Sequence, residues 1–287
     1  MNNTPWPPPL HDARTRTVQA RSNGADYHIH IWTPPGTPPA TGWPAIYVLD
    51  GNALFGTFVE SIRRSSRRPD ATGIAPAAVV AIAQDANSLY APEALRRRDF
   101  TPARTPAQTT PRTPPAPDGD GRAAAFLSFL VDELAPALEP EFKLDPTRRS
   151  LFGHSLAGFF ALHALSEHPN AFHSFAAISP SIWWDETGLR SRLTALPASG
   201  ARAFIAVGEW EDEVPPWQRN EPGYEELVKR RAECRMIDNA REIADALRAR
   251  LNDTNVAFHL FPDEDHASIL MIASQRFLRF ALAPASA

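Results

Sequence analysis

Hydrophobic residues along this chain follow two periods, and segments of each period alternate. Residues 27–32 alternate apolar and polar side chains, which predicts a half-buried antiparallel strand. Short continuous apolar runs, which favour strands buried in a parallel sheet, occupy residues 45–49, 77–82, 150–153, 174–178, 203–207 and 256–261. Apolar residues at helical spacing occupy residues 53–67, 122–138, 157–168, 237–251 and 269–282. This order predicts an α/β fold, with a mostly parallel central sheet, helices on both faces and an antiparallel N-terminal pair of strands.

The composition predicts a single domain. A chain of 287 residues, 43% hydrophobic and 22% charged, can bury one large sheet between two helix layers. The 29 prolines fall in clusters that indicate loops. One cluster, at about residues 101–121, is rich in Pro, Thr, Ala and Arg and cannot form a core of its own. We therefore predict a domain over residues 1–287 with a flexible insertion at residues 101–121.

Charge and cysteine content exclude several classes of function. A net charge of -4 gives no basic face for nucleic acid, and no run approaches the ~20 apolar residues that cross a bilayer. The N-terminus shows no basic segment followed by an apolar one, so we expect a cytoplasmic protein. One cysteine, Cys234, and the absence of a His-Glu-x-x-His pattern predict neither a metal site nor a cofactor. The expected partner is a small-molecule substrate.

The segment around Ser155 has the pattern of a nucleophile on a sharp turn. Its sequence, GHSLAG over residues 153–158, resembles Gly-x-Ser-x-Gly with Ala157 in the last position and Gly158 after it. A short apolar strand precedes the serine and an amphipathic helix follows it, which is the context that this motif requires. Small neighbours are needed because the turn is strained. We predict that Ser155 is a nucleophile; the alternative is a tight turn with an idle serine.

A serine nucleophile needs a base and an orienting acid. Of nine histidines, His266 lies between the last predicted strand and the last predicted helix, where folds of this kind carry the base. The acid should follow the strand at residues 203–207. Glu211 is our choice because the acid commonly lies a few residues beyond the strand. The sequence alone does not separate it from Glu209, Asp212 or Glu213.

Backbone N–H groups should stabilise the oxyanion that serine attack creates. One is predicted to be that of Leu156, directly after the nucleophile. The other is predicted to be that of Asn52, in the turn after the strand at residues 45–49. In that turn Gly51 permits close approach of the backbone, so we expect Gly51 to border the substrate.

Two further features suggest an aromatic, anionic substrate. Trp183 and Trp184 follow the strand at residues 174–178 and could stack on aromatic rings. Arg98 could pair with carboxylate or catecholate oxygens. The alternatives are tryptophans that pack in the core and a solvated arginine turn.

With these residues assembled, the sequence resembles the putative esterase family of α/β hydrolases, and within it the enterochelin and salmochelin (trilactone siderophore) esterases. The resemblance covers most of the chain and is carried by residues 47–55 (YVLDGNALF), 98–102 (RDFTP), 153–158 (GHSLAG), 179–184 (SPSIWW) and 265–266 (DH). It implies the α/β-hydrolase fold and a metal-independent serine esterase that releases iron by cleaving a catecholate siderophore. It also implies Ser155 as nucleophile and His266 as base. Some members resemble Ser–His dyads, so the role of Glu211 stays open.

The chain departs from the family pattern at Ala157, where Gly is usual, and in its Pro-rich insertion. The insertion leaves the substrate open, because a flap over the cleft would reshape the substrate pocket. One alternative is therefore a general carboxylesterase acting on other aryl or acyl esters, feruloyl esters and thioesters included. The other is a non-catalytic hydrolase-like binding protein, which would lack part of the site.

Overall fold

The computed structural model describes residue 10 and residues 12–85, 88–103 and 121–283. Residues 104–120, which make up most of the predicted Pro-rich insertion, lie outside the described residues. The flexible insertion therefore stays a prediction. Over the described ranges, no helix combines the length and the apolar character needed to span a bilayer.

A single sheet of eight strands forms the centre of the described chain. Its strands are β1 (Arg14–Gln19), β2 (Asp26–Trp32), β3 (Trp43–Leu49), β4 (Ala78–Ala83), β5 (Leu144–His154), β6 (Ser174–Ile178), β7 (Arg202–Gly208) and β8 (Val256–Phe261). The spatial order is β1-β2-β4-β3-β5-β6-β7-β8. β2 pairs antiparallel with β1 and β4, and every other pair of neighbours is parallel. This arrangement confirms the predicted mostly parallel sheet with antiparallel N-terminal strands.

Helices cover both faces of the sheet, because alternate residues of the central strands are apolar on both sides. In β3, Tyr47 and Leu49 belong to one hydrophobic core, and Ile46 and Val48 belong to the other. The helices are α1 (Gly51–Ser65), α2 (Pro69–Thr72), α3 (Glu93–Phe100), α4 (Ala123–Ser128), α5 (Ala135–Phe142), α6 (Leu156–Glu167), α7 (Glu186–Thr194), α8 (Tyr224–Cys234), α9 (Met236–Arg248) and α10 (Ile269–Leu282). Helices α1 and α10 contribute to the second core, and α4, α6 and α9 contribute to the first.

The elements that the periodicity did not predict are the polar ones. Strand β1 lies at an edge of the sheet and none of its residues is fully buried, so it carries no apolar run. Helix α8 buries only Cys234 among its 11 residues. The predicted helix at residues 122–138 is instead α4 and α5, joined by a π-helical segment at Phe129–Leu134.

The parallel direction of β5 to β8 brings four loops to one edge of the sheet. Neighbouring strands pair with His154 opposite Ile178, Ile178 opposite Ala206, and Gly208 opposite Phe261. The chain leaves all four strands on the same side, which is where open α/β sheets form their ligand sites. Every residue predicted to be nucleophile, base or acid lies in one of these loops.

Candidate active site

Ser155 occupies a strained turn between β5 and α6. Its backbone has φ 59 and ψ -118, a conformation that non-glycine residues rarely adopt. The turn is tight: a Cβ atom at Gly153 would lie 2.1 Å from the carbonyl oxygen of Ala157, and one at Gly158 would lie 2.9 Å from that of Ile178. The close approach of α6 to β6 is thus made at Gly158. The methyl group of Ala157 is accommodated, which explains how the motif tolerates alanine there.

A continuous chain of hydrogen bonds joins Ser155, His266 and Glu211. The Ser155 Oγ atom lies 3.0 Å from His266 Nε2, and His266 Nδ1 lies 2.8 Å from Glu211 Oε2. The side chain of Glu211 is 2% exposed, whereas that of His266 is 44% exposed. With Nδ1 protonated, His266 donates to the carboxylate and can accept the serine proton at Nε2. The arrangement can therefore move a proton from the serine hydroxyl to the imidazole.

The four carboxylates that follow β7 point in different directions. Glu209 accepts a hydrogen bond from the backbone N–H of Asp263 at 2.8 Å, and Asp212 accepts one from that of Ile237 at 3.2 Å. Glu213 is exposed. Of the four, Glu211 is the one that faces His266, because the 3-10 turn at Glu209–Glu211 directs its side chain toward the sheet edge.

His154 supports the loop that carries His266. Its Nε2 atom donates to the backbone carbonyl of His266 at 2.7 Å, and the two rings lie 4.7 Å apart. Burial holds the pKa of His154 well below its ordinary value, so the ring stays neutral and keeps one N–H to donate. The only indication of this role in the sequence is the position of His154 next to the nucleophile.

The predicted oxyanion donors lie at the N-termini of two helices. Leu156 is the first residue of α6 and Asn52 is the second of α1, and N–H groups in a first helical turn have no partner within their helix. The Asn52 side chain is held elsewhere, by His30 Nε2 at 2.8 Å and by the carbonyl oxygens of Asp85 and Ser88 at 2.6 and 2.8 Å. Its backbone N–H is therefore the group that remains a candidate donor.

Gly51 is required for packing against the sheet. It is buried, and a Cβ atom there would lie 2.8 Å from the backbone nitrogen of Ile82 in β4. The close approach expected from the sequence is thus made to β4, and Gly51 is not among the residues that line the cavity at Ser155. The neighbouring Asp50 is held by two hydrogen bonds of 2.9 Å from Arg96.

A cavity of about 210 Å³ opens at Ser155. Its lining consists of the three hydrogen-bonded residues, of Ser181 and Trp183 from the loop after β6, and of side chains from α8 and the start of α9: Leu227, Arg230, Arg231, Cys234 and Met236. No three His, Cys, Asp or Glu side chains come together as possible metal ligands in the part of the chain that the structure describes.

Two of the predicted substrate contacts lie outside this cavity. Trp184 is 6% exposed, and the guanidinium of Arg97 lies 4.8 Å from its ring centroid. Arg98 donates to the buried carboxylate of Asp99 at 2.7 and 2.9 Å, and its guanidinium lies 3.5 Å from the hydroxyl of Tyr27. The structure therefore brings Trp183 to the cavity but not Trp184 or Arg98.

The positive charges at the cavity come from α8, which the sequence did not single out. Arg230 and Arg231 line the cavity from that helix. Arg231 also donates to the carbonyl oxygens of Trp210 and Glu213, and to Gln218 Oε1 at 3.2 Å, so it holds the loop that carries the acid. The two arginines lie in a strongly charged stretch that is typical of a solvated helix, so periodicity gave no reason to prefer them.

The fold and the hydrogen-bonded serine, histidine and carboxylate define an α/β hydrolase. A family model described as "Putative esterase" matches residues 20–236, and the chain belongs to this family. The predicted family and the α/β-hydrolase fold are thereby confirmed, and the protein is a serine hydrolase that acts on carboxylic esters.

Similar proteins agree with this class over nearly the whole chain. The ferri-bacillibactin esterase BesA of Bacillus subtilis (strain 168) is 34% identical over 282 residues, which cover 94% of this chain and 89% of that protein. The siderophore triacetylfusarinine C esterase of Aspergillus fumigatus is 31% identical, covering 97% of this chain and 96% of that protein. Among solved structures, the BES protein from Bacillus cereus has a TM-score of 0.77 and 30% identity, with 96% of this chain and 97% of that chain covered. The siderophore hydrolase EstB from Aspergillus nidulans has a TM-score of 0.82 and 26% identity, with 97% of each chain covered.

Proposed function

We propose that this protein hydrolyses the ester bonds of a catecholate siderophore, with Ser155 as nucleophile, His266 as general base and Glu211 as the orienting acid. The observation that carries the proposal is the hydrogen-bond chain from Ser155 Oγ through His266 to Glu211, at 3.0 and 2.8 Å, which opens into a cavity lined by arginines. The similar proteins are named as siderophore esterases, which supports a siderophore as the substrate, and the ferri-bacillibactin and enterobactin esterases among them support a catecholate.

In the first half of the reaction, Ser155 Oγ attacks the ester carbonyl while His266 Nε2 takes the hydroxyl proton. The backbone N–H groups of Leu156 and Asn52 donate to the oxyanion of the tetrahedral intermediate. Collapse of the intermediate breaks the bond to the alcohol oxygen, which leaves with the proton from His266. Glu211 stabilises the charged imidazole between these two transfers.

In the second half, water replaces the alcohol. His266 removes a proton from the water as the oxygen attacks the acyl carbon on Ser155, and it returns the proton to Ser155 Oγ when the acid product leaves. Every proton moves between the substrate, the water and the side chains of Ser155 and His266. The reaction therefore balances without a metal cofactor, and iron would enter as part of the substrate.

The cavity lining favours an aromatic, anionic substrate. Trp183 offers a half-buried ring, and Arg230 and Arg231 contribute positive charge to the same cavity as the nucleophile. Guanidinium groups pair well with catecholate and carboxylate oxygens. Arg230 and Arg231 of α8, and not Arg98, therefore supply the positive charge for an anionic substrate.

A second candidate, a general carboxylesterase or feruloyl-type esterase, is favoured by the size of the cavity. Its volume is about 210 Å³, below the roughly 300–1,000 Å³ that is usual for ligand pockets. One acyl or aryl arm would fill it, and the remainder of a trilactone would lie at the mouth.

We also propose the cytoplasm as the site of action and iron release as the outcome, and fractionation of cells would check the compartment.

A comparative kinetic screen tests the substrate class. We expect kcat/KM for a ferric catecholate trilactone to exceed that for a p-nitrophenyl ester by about 100-fold or more, because binding of the remote catecholate arms stabilises the transition state. EDTA should leave p-nitrophenyl ester hydrolysis unchanged. If trilactones are not cleaved while feruloyl or small acyl esters turn over well, the second candidate replaces the first.

A further inference from the structure

The loop that follows β6 contains a serine in an unfavourable backbone conformation. Ser179 has φ 44 and no exposed surface, in the left-handed region where glycine is favoured. Its backbone N–H donates to the carbonyl oxygen of Ala206 in β7 at 2.7 Å. A strained residue of this kind persists only where other interactions compensate for it, so the serine side chain should have a function that glycine cannot supply.

The hydroxyl of Ser179 donates to Glu211 Oε1. The other carboxylate oxygen, Oε2, faces His266 Nδ1 at 2.8 Å. Within the described residues these two groups are the hydrogen-bond donors to the Glu211 carboxylate. Because the Glu211 side chain is 2% exposed, it has little contact with bulk water, and a buried carboxylate oxygen that loses its donor is costly.

The same loop also contacts the other end of the hydrogen-bond chain. The backbone N–H of Ser181 donates to the carbonyl oxygen of Ser155 at 3.0 Å, and the two hydroxyl oxygens lie 3.3 Å apart. The loop after β6 is therefore held in a defined position relative to Ser155. Through the hydroxyl of Ser179 it also contacts Glu211, which belongs to the loop after β7.

We propose that Ser179 is a positioning residue for catalysis: its hydroxyl stabilises the Glu211 carboxylate and orients it toward His266. The strained backbone is retained because a hydroxyl at this point reaches Oε1, whereas glycine, which would relieve the strain, would leave that oxygen unpaired. This inference rests on the proposed role of Glu211 as the orienting acid.

Two substitutions distinguish the effect of the Ser179 hydroxyl from the effect of its strained backbone. Ser179→Gly removes both the hydroxyl and the strain, and Ser179→Ala removes the hydroxyl alone. With a neutral p-nitrophenyl ester, both variants should lose roughly ten- to a hundredfold in kcat with KM nearly unchanged, the loss expected for a hydrogen bond to a charged group. Thermal unfolding should rank the glycine variant as the more stable of the two.

Ser174→Ala is the matched control. Ser174 is equally buried and lies on β6, and its hydroxyl has no hydrogen-bond partner among the described residues, so kcat should stay at the wild-type value. If kcat in the Ser179 variants instead follows their melting temperatures, with Ser179→Gly as active as the wild type, the residue is merely structural and the inference is wrong.

A double-mutant cycle with Glu211→Gln provides the second test. If Ser179 acts through Glu211, adding Ser179→Ala to Glu211→Gln should lower kcat by less than about threefold, because the two losses share one carboxylate. Fully additive losses would overturn the proposal for Ser179 alone. Wild-type kcat in the single variant Glu211→Gln would overturn the proposed role of the acid, and the role of Ser179 with it.

Discussion

The two sides of the cavity are built differently. On one side, the loops after β5, β7 and β8 hold Ser155, Glu211 and His266 at the end of the sheet, with hydrogen bonds between the three side chains and a buried carboxylate. On the other side, α8 buries only Cys234 and leaves Val228 40% exposed. The groups that would perform the chemistry are thus held by the core, whereas the groups that would meet the substrate lie on a lightly packed helix.

This difference in packing indicates on which side of the cavity substitutions are better tolerated. A substitution among the groups at the sheet edge changes the reaction directly, whereas a substitution on α8 changes the cavity lining at little cost in folding. Arg231 connects the two sides, because it donates from α8 to the carbonyl oxygens of Trp210 and Glu213, which flank Glu211 in sequence. Substitution of Arg231 would therefore also disturb the loop that carries Glu211, although Arg231 lies on α8.

The largest expected effect is on the sheet-edge side, at Ser155. Ser155→Ala should lower kcat for a p-nitrophenyl ester on the order of 10⁶-fold, as in other serine hydrolases in which the nucleophile and base act as a unit. It should also abolish labelling by a fluorophosphonate probe, with the melting temperature within a few degrees of the wild type. Labelling that persists at the wild-type rate would show that another residue is the nucleophile.

A smaller effect concerns a buried residue of the helix that follows the nucleophile, His163 in α6. Burial lowers the pKa of His163 to about 4 from an ordinary value of 6.5, with Arg192 and His168 adding to the effect. The unfolded chain then binds a proton that the folded chain does not. Stability is therefore lost as the pH falls from about 6.5 toward 4, and at pH 5 the loss from this residue is about 2 kcal/mol.

His163→Leu should remove that part of the pH dependence. Neither ring nitrogen of His163 has a hydrogen-bond partner among the described residues, so leucine should cost little at pH 7. Urea denaturation at pH 7 and pH 5 measures the difference between the two proteins. A variant that loses as much stability as the wild type between these pH values would contradict the assignment to His163.

The smallest effect is on the substrate side, at Arg230. Arg230→Ala should lower kcat/KM for an anionic catecholate ester by about tenfold and leave a neutral p-nitrophenyl ester within about twofold, because a charge-assisted contact matters only to a charged ligand. The comparison variant is Arg98→Ala. Since Arg98 pairs with the buried Asp99, its removal should reduce stability and affect both substrates equally. The opposite pattern would restore Arg98 as the substrate contact.

The sequence by itself determined elements that carry a continuous apolar run or apolar residues at helical spacing. The predicted ranges 174–178, 256–261 and 269–282 coincide with β6, β8 and α10, because elements that pack against a core carry such apolar patterns in their sequence. Ser155 and His266 were identifiable for a related reason. Each lies between a predicted strand and a predicted helix, and parallel strands bring the loops that follow them to one edge of the sheet.

Only the tertiary structure decided which of the neighbouring polar residues face the cavity. Four carboxylates follow β7 within five residues, and the direction of each side chain depends on a turn that is held from α8 by Arg231. In the same way, the sequence did not distinguish Trp183, which lines the cavity, from Trp184, which does not. It also pointed to Arg98, whereas Arg230 lines the cavity. Polar residues in a loop follow no sequence period that would predict where their side chains point. The direction of such a side chain follows from long-range contacts, such as that of Ser179 with Glu211, which exist only once the chain has folded.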